Sequence, residues 1–253
     1  MAIKAVAFDL DGTIYFGNQP AEGALETVNF LKTQGLSIFY FTNNSSATRS
    51  NLLEKLISMG FDLGIDDIYS SAFATAKYLK DKNITNVYCI GSQGLIHELE
   101  ELNIRIVAPD FAETMVIGLD IDITYAKISA ALNFVTQNET VVVCNKDRNY
   151  LIENNELRPG CGSLVAAIEY AAGKTFGCII GKPSPYMMEL LLKENGLSRE
   201  EVLVVGDTYE SDIAMAKNIG CPSVFISASD SYSDTKVIRN IAEIRSDWDI
   251  LNS

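Results

Sequence analysis

Short apolar runs alternate along this chain with segments in which apolar residues recur at helical spacing. The runs at residues 3–8, 37–41, 202–205 and 223–226 are almost wholly apolar, and helical patterns follow or separate them. A strand that is apolar along its whole length is buried on both faces, which is typical of a parallel sheet covered by helices. The alternation therefore predicts an α/β fold built on a parallel sheet.

The middle of the chain repeats this alternation with apolar positions of its own. Runs at 87–90, 115–119 and 141–144 precede or follow helical stripes, one at Leu95, Leu99 and Leu102 and another around Ile128 and Val135. A polar stretch at 80–86 and the segment 173–177, which begins and ends with glycine, flank this part. A chain of 253 residues is long enough for two domains. We expect residues 83–179 to form an inserted α/β domain, and residues 1–82 and 180–253 to form the core domain.

Composition excludes several classes of partner. Hydrophobic residues make up 47% and charged residues 21% of the chain, which indicates a folded globular protein. The net charge of −13 argues against a nucleic-acid surface and requires local cations or a metal to attract an anionic substrate. No apolar run approaches the ~18 residues that span a bilayer, and Asp9 and Asp11 interrupt the first run as a signal peptide would not. We expect no nucleic-acid or membrane partner.

The cysteines indicate the compartment. There are five of them, an odd number, and they are widely spaced without a Cys-x-x-Cys pair. This pattern argues against a disulfide framework or a zinc site and favours a reducing environment. We therefore expect a cytoplasmic protein.

Two acidic residues follow the first apolar run, in the segment Asp9-Leu10-Asp11-Gly12-Thr13. Side chains at the carboxyl end of a strand can converge on a crevice at the edge of the sheet. Two carboxylates held so close repel each other unless a cation or a raised pKa relieves the repulsion. The alternative is a plain turn, because Asp and Gly are common in turns.

Polar groups also follow the run at 38–41, where Thr42 and Asn43 precede Ser45 and Ser46 at a predicted helix start. Helix capping explains these residues, yet the free backbone N–H groups of a helix start also suit a phosphate. After the run at 178–180 comes Lys182, which is either a fixed cation or a solvated lysine before a helix. The spacing of residues 177–182 does not fit a nucleotide-binding P-loop.

A fourth polar segment follows the run at 202–205. Asp207 stands at the predicted strand end, and Asp212 falls in or near the first turn of the next helix. An acid at a helix start is unremarkable alone. The combination of four polar segments, each directly after an apolar strand, indicates a common site.

The four segments resemble, in order and spacing, the four motifs of the haloacid dehalogenase (HAD) superfamily. Asp-Leu-Asp-Gly-Thr-Ile-Tyr at 9–15, Gly-Lys-Pro-Ser-Pro at 181–185 and the insertion between them are most similar to the NagD-like branch with its large C2-type cap. The resemblance implies a doubly wound, Rossmann-like parallel-sheet core with an inserted α/β cap domain that closes over the site.

The resemblance also implies roles for the acidic residues. Asp9 would be the nucleophile that forms an aspartyl-phosphate, and Asp11 would act first as general acid and then as general base. Mg²⁺ would be held by Asp9, by the backbone carbonyl of Asp11 and by Asp207. Asp212 would lie next to these ligands without binding the metal itself.

The remaining motif residues would handle the phosphoryl group. By the same resemblance, Thr42 and the backbone of Asn43 would bind its oxygens, and Lys182 would neutralise charge on it and on the nucleophile.

These expectations lead to a functional hypothesis. It is a Mg²⁺-dependent phosphatase acting on small phosphorylated metabolites, such as sugar phosphates or nucleotides. The alternatives are a signalling module that holds a phosphoryl group without turnover, and a phosphonatase- or dehalogenase-type hydrolase. The sequence is compatible with several such metabolites as substrate and with a homo-oligomer.

Four other polar segments receive different interpretations. The pair Asp120 and Asp122 lacks the following Gly-Thr, so we expect a loop, and the lone histidine His97 is expected on a helix surface. Lys146 and Arg148 follow a strand of the insertion, where the related branch often has Asn-Pro-Asp. They either contact an anionic leaving group or are simply exposed. The pair at residues 66–67 is expected in a solvated loop.

Overall fold

The computed structural model describes residues 2–137, 140–151, 156–229 and 232–248. The strands are β1 (Ala5–Asp9), β2 (Tyr15–Phe16), β3 (Gln19–Pro20), β4 (Ser37–Thr42), β5 (Ile68–Ser70), β6 (Asn86–Ile90), β7 (Arg105–Ile106), β8 (Thr114–Ile117), β9 (Val141–Val143), β10 (Asn149–Leu151), β11 (Leu157–Pro159), β12 (Cys178–Ile179), β13 (Val202–Gly206), β14 (Ser223–Ile226) and β15 (Lys236–Ile238). The helices are α1 (Ala24–Thr33), α2 (Arg49–Ser58), α3 (Ser71–Asp81), α4 (Gln93–Glu101), α5 (Tyr125–Gln137), α6 (Cys161–Ala172), α7 (Tyr186–Asn195), α8 (Ala214–Ile219) and α9 (Glu243–Ser246).

The chain divides into two compact units. The first comprises the described residues of Met1–Thr42, Leu52–Tyr69 and Lys182–Ser253, and the second comprises those of Asn43–Asn51 and Ser70–Gly181. The predicted insertion at 83–179 lies within the second unit, which also includes α3. This helix packs against α4 and buries most of its side chains, among them Phe73 and Leu79.

A parallel sheet forms the centre of the first unit, with strands in the order β15-β14-β13-β1-β4-β5. Strand β1 pairs in parallel with β13 on one side and with β4 on the other. Later strands of the chain add outward from these two neighbours, so the strand order reverses at β1. In open α/β sheets such a switch point leaves a crevice at the carboxyl ends of the strands.

The apolar runs that predicted the strands are the interior of this sheet. In β1 the side chains of Ala5, Val6, Ala7 and Phe8 are buried, as expected of a strand covered on both faces. At ~25 cal/mol per Å² of buried apolar surface, these strands and the helices over them supply much of the folding free energy. The predicted fold class of the core is confirmed.

The second unit has a sheet and a core of its own. Its strands lie in the order β12-β9-β8-β6-β7, and their pairings are parallel. Ala131 and Val135 of α5, from the predicted stripe around Ile128 and Val135, pack into this core together with Val165 and Ile168 of α6. The βα alternation in the middle of the sequence therefore corresponds to an α/β unit with its own sheet and core.

One local feature was not predicted, and one prediction was wrong. The feature that was not predicted is the antiparallel pairing of β10 with β11, between β9 and α6. Helix α2 begins at Arg49 and not at Ser45 or Ser46. The cause is Asn44, whose side-chain oxygen accepts hydrogen bonds from the backbone N–H of Ser46 (2.8 Å) and Ala47 (2.9 Å) and folds this stretch into a turn.

None of the helices in the described ranges combines the length and the apolar character needed to cross a bilayer.

Candidate active site

Three carboxylates converge at the carboxyl ends of the central strands of the first unit. Asp9 is the last residue of β1, Asp207 directly follows β13, and Asp212 lies in a π-helical turn (Tyr209–Ile213) that follows. One oxygen of each lies within 4.8 Å of the others. The parallel pairing of β1 with β13 places the two strand ends side by side, because parallel strands point the same way.

Lys182 places a positive charge in this cluster. Its Nζ contacts Oδ1 of Asp9 and lies 2.6 Å from Oδ1 of Asp212. Only 3% of its side chain is exposed, so the interpretation as a solvated lysine is wrong. Burial alone would lower the pKa of Lys182, but the charges of Asp212 and Asp9 outweigh burial and raise it. The ammonium group therefore stays protonated.

In Asp9 and Asp207 burial is instead the dominant influence on the pKa. Burial raises the pKa of Asp9 well above its usual range, the charge of Lys182 opposes this, and the charges of Asp212 and Asp207 add to it. Burial, and next the charge of Asp212, raises the pKa of Asp207 to about 6. Three carboxylates thus share one ammonium group, and the cluster has an excess of negative charge.

This excess makes the cluster a suitable site for a divalent cation. Carboxylate oxygens are the ligands that Mg²⁺ prefers. A bound cation would relieve the carboxylate repulsion that adds to burial in raising the pKa values of Asp9 and Asp207. The packing leaves Asp207 little freedom, because a Cβ added at Gly12 would overlap with its carboxylate. The Oγ1 of Thr13 also donates to Oδ1 of Asp207 at 3.3 Å. Asp9 and Asp207, both predicted ligands, therefore lie in a preformed acidic site.

The side chain of Asp11 is not one of the three carboxylates of this cluster. It is exposed, and its Oδ2 accepts a hydrogen bond from the hydroxyl of Tyr15 at 3.0 Å. The turn between them is closed by backbone bonds, including Gly12 N–H to the carbonyl of Tyr15 at 2.9 Å. Burial, and next the charge of Asp11, raises the pKa of Tyr15, so the phenol remains a donor.

Thr42 and Asn43, the predicted phosphate-binding pair, fall on the two sides of a unit boundary. Thr42 is the buried last residue of β4, which neighbours β1 in the first unit. Asn43 belongs to the second unit, where its carbonyl accepts from Asn145 Nδ2 at 2.6 Å and from Ser71 Oγ at 2.7 Å. Its own Nδ2 donates to Oδ1 of Asp147 at 2.9 Å.

These bonds join Asn43 to the loop that follows β9. Within that loop, Lys146 forms an ion pair with Glu169 at 2.6 Å. An added Cβ at Gly160 or Gly162 would overlap with backbone atoms of the same loop. The loop is therefore closely packed within the second unit.

Three further residues of the first unit contact the predicted site residues or one another, and the sequence predicted no role for them. They are Thr13 beside Asp207, Tyr15 beside Asp11, and Lys55 of α2, whose Nζ lies 3.8 Å from the centre of the Tyr15 ring. Thr13 and Tyr15 belong to the 9–15 motif, so the motif itself was the available signal. Lys55 gives no sequence signal, since a lysine on a helix is ordinary.

Three of the other polar segments have ordinary explanations. His97 is more than half exposed on α4 and lies 3.8 Å from Glu101. Asp120 is buried and forms an ion pair with Lys127 at 2.7 Å, while Asp122 is exposed. The pair at 66–67 lies in a short 3₁₀ turn (Ile65–Asp67).

Comparisons with known proteins show which family the chain belongs to. Residues 6–105 match the family model described as haloacid dehalogenase-like hydrolase, and residues 179–252 match a second HAD-hydrolase-like model. The acid sugar phosphatase of Staphylococcus aureus (strain USA300) is 34% identical over 224 residues, which cover 88% of this chain and 86% of that protein.

Solved structures give the same answer. The p-nitrophenyl phosphatase from Archaeoglobus fulgidus matches with a TM-score of 0.90 and 29% identity, covering 97% of this chain and 99% of that one. NagD from E. coli K-12 matches with a TM-score of 0.87 and 28% identity, covering 96% and 99%. The expectation drawn from the four motifs is confirmed: the chain belongs to the haloacid dehalogenase-like hydrolases, as a NagD-like phosphatase.

Proposed function

We propose that this protein hydrolyses small phosphomonoesters in a Mg²⁺-dependent reaction through a phosphorylated Asp9. The observation that carries the proposal is the convergence of Asp9, Asp207 and Asp212 around the buried ammonium group of Lys182. A carboxylate nucleophile, oxygen ligands for a hard cation and a fixed positive charge are what phosphoryl transfer requires.

In the first step, a carboxylate oxygen of Asp9 attacks phosphorus and the bond from phosphorus to the ester oxygen breaks. Asp11 gives its proton to the departing ester oxygen. In the second step, Asp11 accepts a proton from water, the water oxygen attacks phosphorus, and the bond to Asp9 breaks. Inorganic phosphate leaves and both carboxyl groups return to their starting states.

The other residues bind and orient the phosphoryl group. Lys182 neutralises charge on Asp9 and on the phosphoryl oxygens, held in place by Asp212. Thr42 and the backbone of Asn43 would donate hydrogen bonds to those oxygens. Mg²⁺, bound by Asp9, the carbonyl of Asp11 and Asp207, would supply electrostatic stabilisation of the charge on the phosphoryl group.

The substrate class proposed is a small phosphorylated metabolite, with sugar phosphates first and nucleotides second. Support comes from the Staphylococcus aureus relative, whose name states an acid sugar phosphatase, and from the p-nitrophenyl phosphatases among the structural neighbours. With a net charge of −13, binding of an anionic ester depends on Lys182 and the metal.

We also propose a reducing, cytoplasmic compartment. All five cysteines are free thiols, and Cys144 and Cys161 are buried in the second unit. Burial raises the pKa of Cys144 to about 12, so its thiol is unreactive and serves as a small apolar group.

The test is phosphate release from a panel of sugar phosphates, nucleotides and p-nitrophenyl phosphate, with Mg²⁺ and with EDTA. We expect turnover that requires Mg²⁺ and is restored when the metal is returned. A protein that shows no turnover but keeps a stable adduct from acetyl phosphate would be a signalling module. Hydrolysis of phosphonates or haloacids in place of phosphate esters would likewise contradict the proposal.

A further inference from the structure

The side chain of Asp11 presents a positioning problem. It is exposed to solvent, and an exposed aspartate samples several rotamers. A group that transfers a proton must be held within hydrogen-bond reach of the reacting oxygen. Something in the first unit therefore has to fix this carboxylate.

Tyr15 meets that requirement. Its side chain is 1% exposed, and its hydroxyl donates to Oδ2 of Asp11 at 3.0 Å. The backbone between the two residues is folded by bonds from Thr13, Ile14 and Tyr15 N–H groups to the carbonyl of Leu10, at 2.9 to 3.2 Å. A buried ring on a closed turn has little freedom, so the hydroxyl is a fixed donor.

The ring of Tyr15 is itself held by a charge. Nζ of Lys55 lies 3.8 Å from the ring centre, which is within the range of a cation–π interaction. Lys55 is half-buried in α2, so this charge is only partly screened by water. The Tyr15 ring is thus buried in the first unit, and the ammonium group of Lys55 lies over the ring.

We propose that Tyr15 is a positioning residue that holds Asp11 for proton transfer, with Lys55 fixing the tyrosine ring. One carboxylate oxygen of Asp11 is engaged by the tyrosine hydroxyl, and the other exchanges the proton with the ester oxygen and with water. This inference rests on the proposed phosphatase function and adds a residue to its machinery.

The experiment compares kcat and KM of Tyr15→Phe with those of the wild type, on p-nitrophenyl phosphate and on glycerol phosphate. We expect kcat to fall about 10- to 100-fold on glycerol phosphate, as for other misplaced catalytic groups. The loss on p-nitrophenyl phosphate should be smaller, because p-nitrophenolate leaves without a proton. KM should change little. In an Asp11→Asn background the same substitution should cause no further loss.

The chain offers a matched control in Tyr40. This tyrosine of β4 is fully buried, and its hydroxyl has no hydrogen-bond partner among the described residues. Tyr40→Phe removes the same atom from the same unit, and we expect it to leave both activities unchanged. Thermal melting of each variant reports whether the fold is kept.

The outcomes separate the two claims. An active wild type with an unimpaired Tyr15→Phe overturns this inference alone, and so does an equal loss in the Asp11→Asn background, which would mark a general structural effect. A wild type without turnover overturns the proposed function and this inference with it. If Tyr15→Phe does not fold, Lys55→Gln provides the test. We expect a loss of about two- to ten-fold with the same leaving-group pattern, and no loss overturns the inference.

Discussion

At the scale of single residues, the candidate site is defined by an imbalance of charge. Asp9, Asp207 and Asp212 share the ammonium group of Lys182, and the pKa values of Asp9 and Asp207 are raised. Residues arranged for function commonly cost stability, because the ligand that completes the charge balance is present only during the reaction cycle. This loss of folding stability should be measurable in the metal-free protein.

The first prediction concerns stability and pH. The pKa of Asp207 is raised from 3.8 to about 6 in the folded protein, so the folded state binds this proton more tightly than the unfolded chain does. Protonation of Asp207 therefore stabilises the folded state fully below pH 3.8, and this stabilisation is lost as the pH rises through about 6. In EDTA, Asp207→Asn should match the wild type near the acidic limit and exceed its unfolding free energy at pH 7.5 by roughly 1–3 kcal/mol.

Urea unfolding at a series of pH values measures this difference, and added Mg²⁺ should reduce it by stabilising the wild type. A difference between the two proteins that does not vary with pH would show that Asp207 is not perturbed.

The second prediction separates the metal from the acid. Asp207→Ala removes a proposed direct ligand, so the Mg²⁺ concentration for half-maximal activity should rise sharply. Asp11→Asn keeps its backbone carbonyl and should instead slow the chemistry by about 10²–10⁴-fold. Its loss should be larger on alkyl than on aryl phosphates, because only the alkyl leaving group needs the proton.

Mg²⁺ titrations on both ester types test this separation. Equal losses on the two esters, with phosphorylation rate-limiting for both, would remove Asp11 from the role of general acid.

Sequence reasoning at the residue scale reached side chains whose position follows from a strand end. Asp9, Thr42 and Asp207 could be placed because each ends or directly follows an apolar strand. The bond of Tyr15 to Asp11 could not be predicted, since it depends on the path of the intervening turn. The bond between Asn43 and Asp147 joins residues 104 positions apart, and no local pattern encodes it.

At the scale of secondary-structure elements, the turn after β1 matters most. Gly12 adopts a φ of +91°, a left-handed conformation, and a Cβ there would overlap with the carboxylate of Asp207. The turn thus couples the end of β1 to the end of β13. Elements of two or three residues, such as β2 and β10, are too short for sequence periodicity to reveal.

The third prediction uses this turn. Gly12→Ala should lose about 1–2 kcal/mol from backbone strain and should also weaken Mg²⁺ binding, because the new Cβ displaces Asp207. Gly35→Ala is the matched control: its φ is +81°, and nothing lies within 4 Å of an added Cβ. It should show a similar loss of stability with unchanged Mg²⁺ dependence.

Thermal melts and Mg²⁺-dependent turnover of the two variants provide the comparison. An identical Mg²⁺ dependence in both would mean that close packing of Gly12 against Asp207 is unimportant for the metal.

At the scale of the whole molecule, the sequence predicted two α/β parts, and the structure has two compact units, each with its own parallel sheet. The limits of the inserted domain are still a prediction. The polar stretch at 80–86 suggested a start at residue 83, whereas α3 before it packs against α4 within the second unit. Tertiary packing decides in which unit an amphipathic helix is buried. A change of composition along the chain does not reveal that packing, so it cannot locate the boundary.

The fourth prediction tests those limits. A fragment of residues 70–181 should melt cooperatively and at a higher temperature than a fragment of residues 83–179. The reason is that the longer fragment keeps the buried side chains of α3, including Phe73 and Leu79. Circular dichroism melts of the two fragments measure the difference, and equal melting temperatures would favour the boundary at residue 83.

If Asp9 is the nucleophile of a Mg²⁺-dependent phosphatase, Asp9→Asn removes the group that attacks phosphorus. The substitution is isosteric and removes one charge from the acidic cluster. It should lower kcat for p-nitrophenyl phosphate by about 10³-fold or more, with the melting temperature kept or raised. Asp122→Asn, the same change at an exposed acid of the second unit, should leave kcat unchanged. An Asp9→Asn protein that retains more than a few per cent of wild-type turnover, with deamidation excluded by mass spectrometry, would show that Asp9 is not the nucleophile.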